Sequence, residues 1–277
     1  MADDDDADAG IVRKPRTEWI GASVHRSDDE LAREEPLELR IAGVSIAVVM
    51  RTPGHDLELA RGFALTERMV ERPQDILAVR HCDRVEVPEA EDNVVQLVLA
   101  EHVEIDLARL RRNLYASSSC GVCGKASIAQ AMSCAAPLAP RGTVDIAMIR
   151  ELPARLRARQ QLFDRTGGLH GAALCDAAGA VAIVREDVGR HNAVDKVIGW
   201  AATHESWPLA DRVLVISGRT SFEIVQKALA AGIATVVAVS APTSLAVELA
   251  EQSGITLVGF VRGDRACVYS CPARVLG

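Results

Sequence analysis

VLVISGRTSFEIVQKALAAGI, residues 213–233, is followed at once by ATVVAVSAPTSLAVELAEQSGI, residues 234–255, and the second stretch repeats the plan of the first. Each opens with a short run of β-branched and apolar residues, turns through a small polar segment and continues as an amphipathic helix. Ser217-Gly-Arg-Thr-Ser221 and Ser240-Ala-Pro-Thr-Ser244 lie 23 residues apart, at the same point of the repeat. Consecutive strand–helix units predict a parallel sheet, with both turns at the carboxyl ends of their strands. There the helix N-termini present unpaired N–H groups and a partial positive charge, which suits a phosphate. Thr220, Ser221, Thr243 and Ser244 can each be read as a cap of its own helix. Arg219, which no cap requires, shifts the balance towards a ligand.

Upstream of the repeat stands REDVGRHNAVDKVIGW, residues 185–200. Six charged residues, one His and one Asn fall within Arg185 to Lys196, where a strand (Val181–Val184) hands over to a helix carrying Val194, Val197, Ile198 and Ala201. Singly, Asp187 or Asn192 reads as a cap, His191 as a surface histidine and Asp195–Lys196 as a solvated face. Together they read as a site. Downstream, GFVRGDR (259–265) ends a buried-type strand in Arg262 and Arg265, whose guanidinium forks match a phosphate or a guanine edge.

Towards the N-terminus the periodicity changes. From Leu37 to Met50 apolar residues alternate on both sides of Ala42-Gly43, a hairpin pattern. A helix follows from near Gly54, with Leu59, Phe63, Thr66 and Met69/Val70 on one face. Ile76–Val87 and Val94–Leu99 are two further strands. A helix is expected to open at Pro153 and to run through Leu156 to Phe163; Ala172–Cys175 and Val181–Val184 flank a turn at DAAG. The chain divides accordingly into an acidic disordered tail (1–29), an N-terminal α+β part (30–115), a mobile loop (116–126) and an α/β domain (127–277).

The composition sets bounds. Nearly half of the 277 residues are apolar, enough for a sizeable core, while aromatics are 3% and the net charge is −7. Few stacking surfaces and an acidic balance argue against nucleic acid as a partner. Asp3, Asp4, Asp5, Asp6 and Asp8 supply much of that charge from the tail. No apolar run approaches the ~20 residues of a membrane-spanning helix, and the acidic N-terminus is unlike a secretory signal, so a cytoplasmic protein without membrane contact is expected. In that reducing compartment the seven cysteines read as thiols, metal ligands or catalytic groups. Cys82, Cys134 and Cys175, in apolar surroundings, read as core residues.

SSSCGVCGK, residues 117–125, is the exception: Cys120 and Cys123 sit in a loop in which five of nine residues are Ser or Gly. A thiolate on such a loop can reach into a second protein. Lys125 is placed to stabilise it.

SSCGVCGK, RTGGLHGAAL, EDVGRHNAVDK, SGRTSFEIVQKA, VSAPTSLAVELAE and GFVRGDR, in this order and spacing, resemble the FdhD family, sulfur carriers that mature the molybdenum cofactor of formate dehydrogenase. The resemblance covers roughly residues 30 to 275. It implies a cytidine-deaminase-like α/β fold, a mixed sheet with flanking helices beside the smaller N-terminal α+β part, and a homodimer. It also implies a sulfurtransferase that accepts persulfide sulfur from a cysteine desulfurase and passes it to bis-molybdopterin guanine dinucleotide, destined for formate dehydrogenase. By motif, Cys120 is the persulfide carrier and Cys123 its neighbour in catalysis. Phe260, Val261, Arg262, Gly263, Asp264 and Arg265 form the cofactor-binding segment, and guanine nucleotides such as GDP are expected to enter the same site. Arg219, Thr220, Ser221, His191 and Lys196 complete the expected binding set, and no metal site is expected.

Two rivals remain. Zinc deaminases need His-x-Glu and a later Pro-Cys-x-x-Cys, whereas His170 is followed by Gly171 and Ala172 and the CxxC precedes it. Deamination is therefore not expected. A structural zinc site from Cys120, Cys123, Cys267 and Cys271 is the alternative, making the chain a scaffold or cofactor-insertion chaperone without sulfur transfer. It leaves the arginines and the paired turns without a role.

Overall fold

The computed structural model describes residues 9–82, 92–104, 136–139 and 142–277. Four sheets and six helices are seen among them. The chain opens with β1 (Ile11–Ile20) and β2 (Ser23–Ala32), an antiparallel ribbon of ten rungs whose side chains are largely exposed. This corrects the expected tail of residues 1–29: residues 1–8 of it lie outside the described residues, and from Ile11 the backbone pairs with itself. The ribbon escapes a periodicity reading because neither face is consistently apolar, so no buried side alternates with a wet one.

The next unit is a four-stranded sheet of order β4-β3-β6-β5, from β3 (Glu35–Ile41), β4 (Val44–Arg51), β5 (Ile76–His81) and β6 (Val94–Leu99). The turn between β3 and β4 is the expected Ala42-Gly43, both at positive φ. Helix α1 (Asp56–Thr66) covers one face, burying Leu59, Phe63, Ala64 and Leu65 on Leu37, Leu39, Val95 and Leu97.

The larger unit is a six-stranded mixed sheet of order β13-β12-β11-β10-β8-β9, from β8 (His170–Cys175), β9 (Val181–Asp187), β10 (Val213–Ile216), β11 (Thr235–Ala238), β12 (Thr256–Arg262) and β13 (Arg265–Val268). The repeat forms the parallel centre β10-β11-β12, as its periodicity predicts. The sheet is not parallel throughout, because β8 pairs antiparallel with β10 and β13 returns from β12 as a hairpin. Helix α2 (Ile146–Arg157) packs one face through Ile149, Leu152 and Leu156. Asp145 caps it by accepting from Ala147 N, so it begins well before Pro153, which lies inside it, and it ends before the separate α3 (Gln161–Thr166). The opposite face carries α4 (Arg190–His204), α5 (Phe222–Ala230) and α6 (Ser244–Ser253). A short pair of β7 (Val144–Asp145) with β14 (Val275–Leu276) closes the C-terminus. Among the described residues no helix is long and apolar enough to cross a membrane.

The two units meet helix on helix, α1 against α4. A Cβ on Gly62 would lie 1.8 Å from the Asp195 carbonyl oxygen, and one on Gly199 would lie 1.8 Å from that of Glu58. Backbone touches backbone at the crossing. Around it the EDVGRHNAVDK segment turns inward. Asp187, fully buried, accepts from Thr52 N (3.1 Å), Gly189 N (2.8 Å) and Asn192 Nδ2 (2.9 Å), and pairs with Lys196 Nζ at 2.8 Å. Lys196 Nζ also donates to Thr52 O, and Asn192 Nδ2 to Met50 O. Arg185 forks onto Glu58, and Arg51 onto Asp56. Deeper in, Lys227 Nζ on α5 reaches Asp195 at 2.9 Å, Glu67 at 3.1 Å and Thr66 Oγ1 at 3.0 Å. Burial pushes the Asp195 carboxyl up to about 6 against the pull of Lys227, while Asp195 and Glu67 together outweigh burial and raise the Lys227 ammonium.

Candidate functional site

The loops after β10 and β11 are joined to each other. Thr220 N donates to Ala241 O at 3.1 Å and Thr243 N to Thr220 O at 3.0 Å, so the two turns form one bridge between α5 and α6. Phe260 N donates to Ser240 O at 3.1 Å, which draws the end of β12 alongside. Ser217–Ser221, Ser240–Thr243 and Phe260–Arg262 therefore lie side by side at the carboxyl ends of the parallel strands. His170 joins them, because β8 runs antiparallel and starts where they end.

Capping accounts for one turn only. Thr243 Oγ1 accepts from Ala246 N, an N-cap of α6. Ser221 occupies the N-cap position of α5 without a side-chain cap bond; its hydroxyl lies 3.2 Å from His191 Nε2. Thr220 is fully buried and its Oγ1 has no partner in the protein. An unsatisfied buried hydroxyl at a helix N-terminus is costly unless a bound group completes it. Ile224 N and Val225 N already donate to Ser221 O, so the group of this turn left for an anion's oxygen is the Thr220 hydroxyl.

The surrounding charge is mixed, with Arg190 and Arg219 near His170 and the Glu223 carboxylate 3.9 Å from His191 Nε2. Burial, then the fields of Lys227 and Arg190, hold the His191 imidazole down to about 3. Burial, then Arg190, lowers His170, and the exposed Arg219 adds to this. The His191 ring is therefore neutral at pH 7. Arg190, on the first turn of α4, keeps a buried Nε without a partner. His170 and Arg190 were not among the residues expected to bind; the signal for Arg190 is its place beside His191 where β9 hands over to α4.

At the β12–β13 hairpin, Phe260 stands at φ 51°, a left-handed conformation unusual for a phenylalanine, and its ring is half exposed. Arg265 lies over it, guanidinium 5.3 Å from the ring centre. Such local strain is a mark of functional positions. The pair makes a flat, cationic platform that fits a purine base. Arg262, Gly263 and Asp264 flank it at the exposed end of the hairpin, and Val261 points into the core.

Not all expected residues converge here. Arg219, Thr220, Ser221 and His191 lie at the first turn and the 260–265 segment beside the second. Lys196 does not reach them. It is 1% exposed and bonded to Thr52 O, Glu186 O and Asp187, so it locks the seam between the units. Cys120, Cys123 and Lys125 lie outside the described residues, as does Cys134. Cys175 is a core thiol pushed up by burial to about 11, and Cys82 is half-buried. Cys267 and Cys271 are half-buried free thiols.

Residues 32–276 match the FdhD/NarQ family. A sulfur carrier protein FdhD of Mycobacterium tuberculosis is 50% identical over 254 residues, spanning 89% of this chain and 92% of that protein. One from Streptomyces coelicolor is 47% identical over 257 residues, 91% of each. A protein of Desulfotalea psychrophila, crystallised as a candidate formate dehydrogenase accessory protein, superposes with a TM-score of 0.78 at 23% identity, over 96% of this chain and all of its own. At that identity the superposition speaks for the fold, and with the sequence matches it places this chain in the FdhD/NarQ family.

Proposed function

We propose that this protein is a cytoplasmic sulfur carrier that loads Cys120 with persulfide sulfur from a cysteine desulfurase and delivers it to bis-molybdopterin guanine dinucleotide bound at the paired turns. The recipient is formate dehydrogenase, and the working form is a homodimer. The mixed sheet with helices on both faces is read as cytidine-deaminase-like. The observation that carries the proposal is the bridge between the two turns: two helix N-termini, the orphaned Thr220 hydroxyl and the Phe260–Arg265 platform together match the pyrophosphates and base of a guanine dinucleotide.

The transfer chemistry is that of thiol–disulfide exchange. The Cys120 thiolate attacks the outer sulfur of the donor's persulfide. The S–S bond breaks, the donor leaves as a thiolate and Cys120 becomes the persulfide. Attack by the Cys123 thiolate on the inner sulfur of that persulfide then forms a Cys120–Cys123 disulfide and expels hydrosulfide to the cofactor; a cellular dithiol reduces the disulfide afterwards.

Mass spectrometry without reductant, after incubation with a cysteine desulfurase and cysteine, tests the first step. One added sulfur is expected on the Cys120 peptide, absent in Cys120→Ala and retained in Cys123→Ala. Zinc held at one equivalent, with no added sulfur, would favour the four-thiolate scaffold instead. The nucleotide site is tested separately by titration with GDP. Phe260→Ala removes a stacking surface worth about 1–3 kcal/mol per base. It should weaken binding roughly 5- to 150-fold, whereas Lys196→Met, buried in the seam, should change the affinity of the folded fraction little.

A further inference from the structure

Cys267 is a half-buried free thiol that β12 and β13 carry to the edge of the candidate nucleotide site. Val258 and Val268 pair across the hairpin, and both pack into the core beneath α2. Gly259 and Cys267, the next pair, therefore stand on the opposite face, with Tyr269. Gly259 shows what that face meets. A Cβ there would lie 3.0 Å from Pro242 Cδ, 3.1 Å from Ser240 O and 3.1 Å from the Tyr269 ring, so the second turn presses directly on the strand. The side chain of Cys267, directly across the ladder, begins about 5 Å from that point. Two residues away on the same face of β13, Arg265 lies over the Phe260 ring. The thiol thus stands between the second turn and the cationic platform.

An independent feature marks the same place as a ligand's. Thr220, fully buried with its hydroxyl orphaned, is bridged to Pro242, the residue against which Gly259 packs. A buried hydroxyl without a partner calls for a bound group. The other described thiols are placed elsewhere. Cys175 is fully buried in the core, and Cys82 follows β5 in the four-stranded unit. Cys271 comes after Ser270, whose hydroxyl is fixed to Ile255 O and Leu257 N, so it lies by the start of β12, at the opposite end of the strands from the paired turns. Charge distinguishes Cys267 further: from Gly259 to Cys267 the chain carries two exposed arginines, Arg262 and Arg265, against the single carboxylate of Asp264.

We propose that Cys267 is a modification site that gates nucleotide binding: an anionic low-molecular-weight disulfide of the glutathione type exchanges onto it and fills space that the guanine dinucleotide uses. The Cys267 thiolate, its proton released to solvent, attacks one sulfur of the disulfide. The S–S bond of the reagent breaks, a new S–S bond joins Cys267 to one half, and the other half leaves as a thiolate. No further oxidant enters, and excess thiol reverses the exchange. Arg262 and Arg265 attract the carboxylates of such a disulfide to the rim. An adduct of tripeptide size rooted at Cys267 covers the Phe260 ring or the turn beside it, and either contact excludes the nucleotide. The inference rests on the nucleotide reading of this site and is independent of sulfur loading at Cys120.

Titration of the full chain with GDP provides the test, in a form carrying Cys120→Ala and Cys123→Ala so that the loop thiols cannot react. Glutathione disulfide should place one adduct on the Cys267 peptide and weaken GDP binding by about tenfold or more, and dithiothreitol should restore it. With Cys267→Ser added, the treatment should no longer change the affinity for GDP, whereas with Cys271→Ser added the response should persist. In the wild-type chain, saturating GDP should slow alkylation of Cys267 by about fivefold or more and leave that of Cys271 as it was, a readout that needs no variant to fold. Untreated protein that fails to bind GDP would overturn the nucleotide reading of the site and this inference with it. GDP binding that survives a complete Cys267 adduct, an adduct confined to Cys271, or alkylation of Cys267 indifferent to GDP would overturn the inference alone.

Discussion

Exchange of Lys227 for methionine is expected to destabilise the protein by about 3–5 kcal/mol at pH 8, the usual consequence of removing one partner from a buried ion pair. Asp195 would keep its buried carboxylate with only Thr66 Oγ1 as a partner, at 2.7 Å. For a chain of this size the melting temperature should fall by roughly 10 °C. The deficit should depend on pH in a definite direction. In the folded protein Asp195 titrates at about 6, above its ordinary 3.8, so protonation favours folding, and the carboxylate's burden is absent below pH 4 and grows as the pH rises through 6. Loss of Lys227 lifts the folded value further. The variant should therefore differ least from wild type in acid and most at pH 8, and equal melting temperatures at pH 8 would show that the pair contributes nothing.

The second large effect is steric. Gly199→Ala sets a methyl group 1.8 Å from the Glu58 carbonyl, and Gly62→Ala does the same at the Asp195 carbonyl. In both cases the obstacle is backbone, which cannot rotate away, so α1 and α4 must separate. The cost expected for either is about 3 kcal/mol, the upper part of the overpacking range. The double variant should cost clearly less than twice one of them, because the first substitution already opens the crossing. Chemical denaturation of the three variants checks both statements. Additive losses would mean that the two contacts yield independently.

These two regions also mark where sequence reading stopped. The repeat at 213–255 was legible because each strand and helix obeys its own period and the small polar turns recur at a fixed spacing. The Ala42-Gly43 hairpin was legible for a similar local reason. By contrast, the cluster at 185–196 reads as a site because charged residues crowd a strand–helix junction, yet its partners are remote: Thr52 lies 144 residues before Lys196, and Thr66 lies 129 before Asp195. Only the fold shows that Asp187, at the end of β9, and Asp195 and Lys196 on α4 face inward while His191, also on α4, faces Ser221. Ser221 and Thr243 look equivalent in the repeat, and it is the neighbouring imidazole that draws one of them away from its capping role. The start of α2 was hidden because Pro153 resembles a first-turn residue, whereas the cap is Asp145.

The polar seam between the units also sets an order of events during synthesis. Thr52 leaves the ribosome 135 residues before Asp187 and 144 before Lys196. At translation rates of about 5–20 residues per second, that is a wait of roughly 7 to 30 s. The four-stranded sheet and α1 can assemble in that interval, since their own core is local, but the face of α1 at Gly62 stays wet until α4 arrives. A nascent chain halted before residue 185 would expose that helix face to its neighbours, and ribosome-bound chaperones should engage this protein most strongly over just that span of lengths.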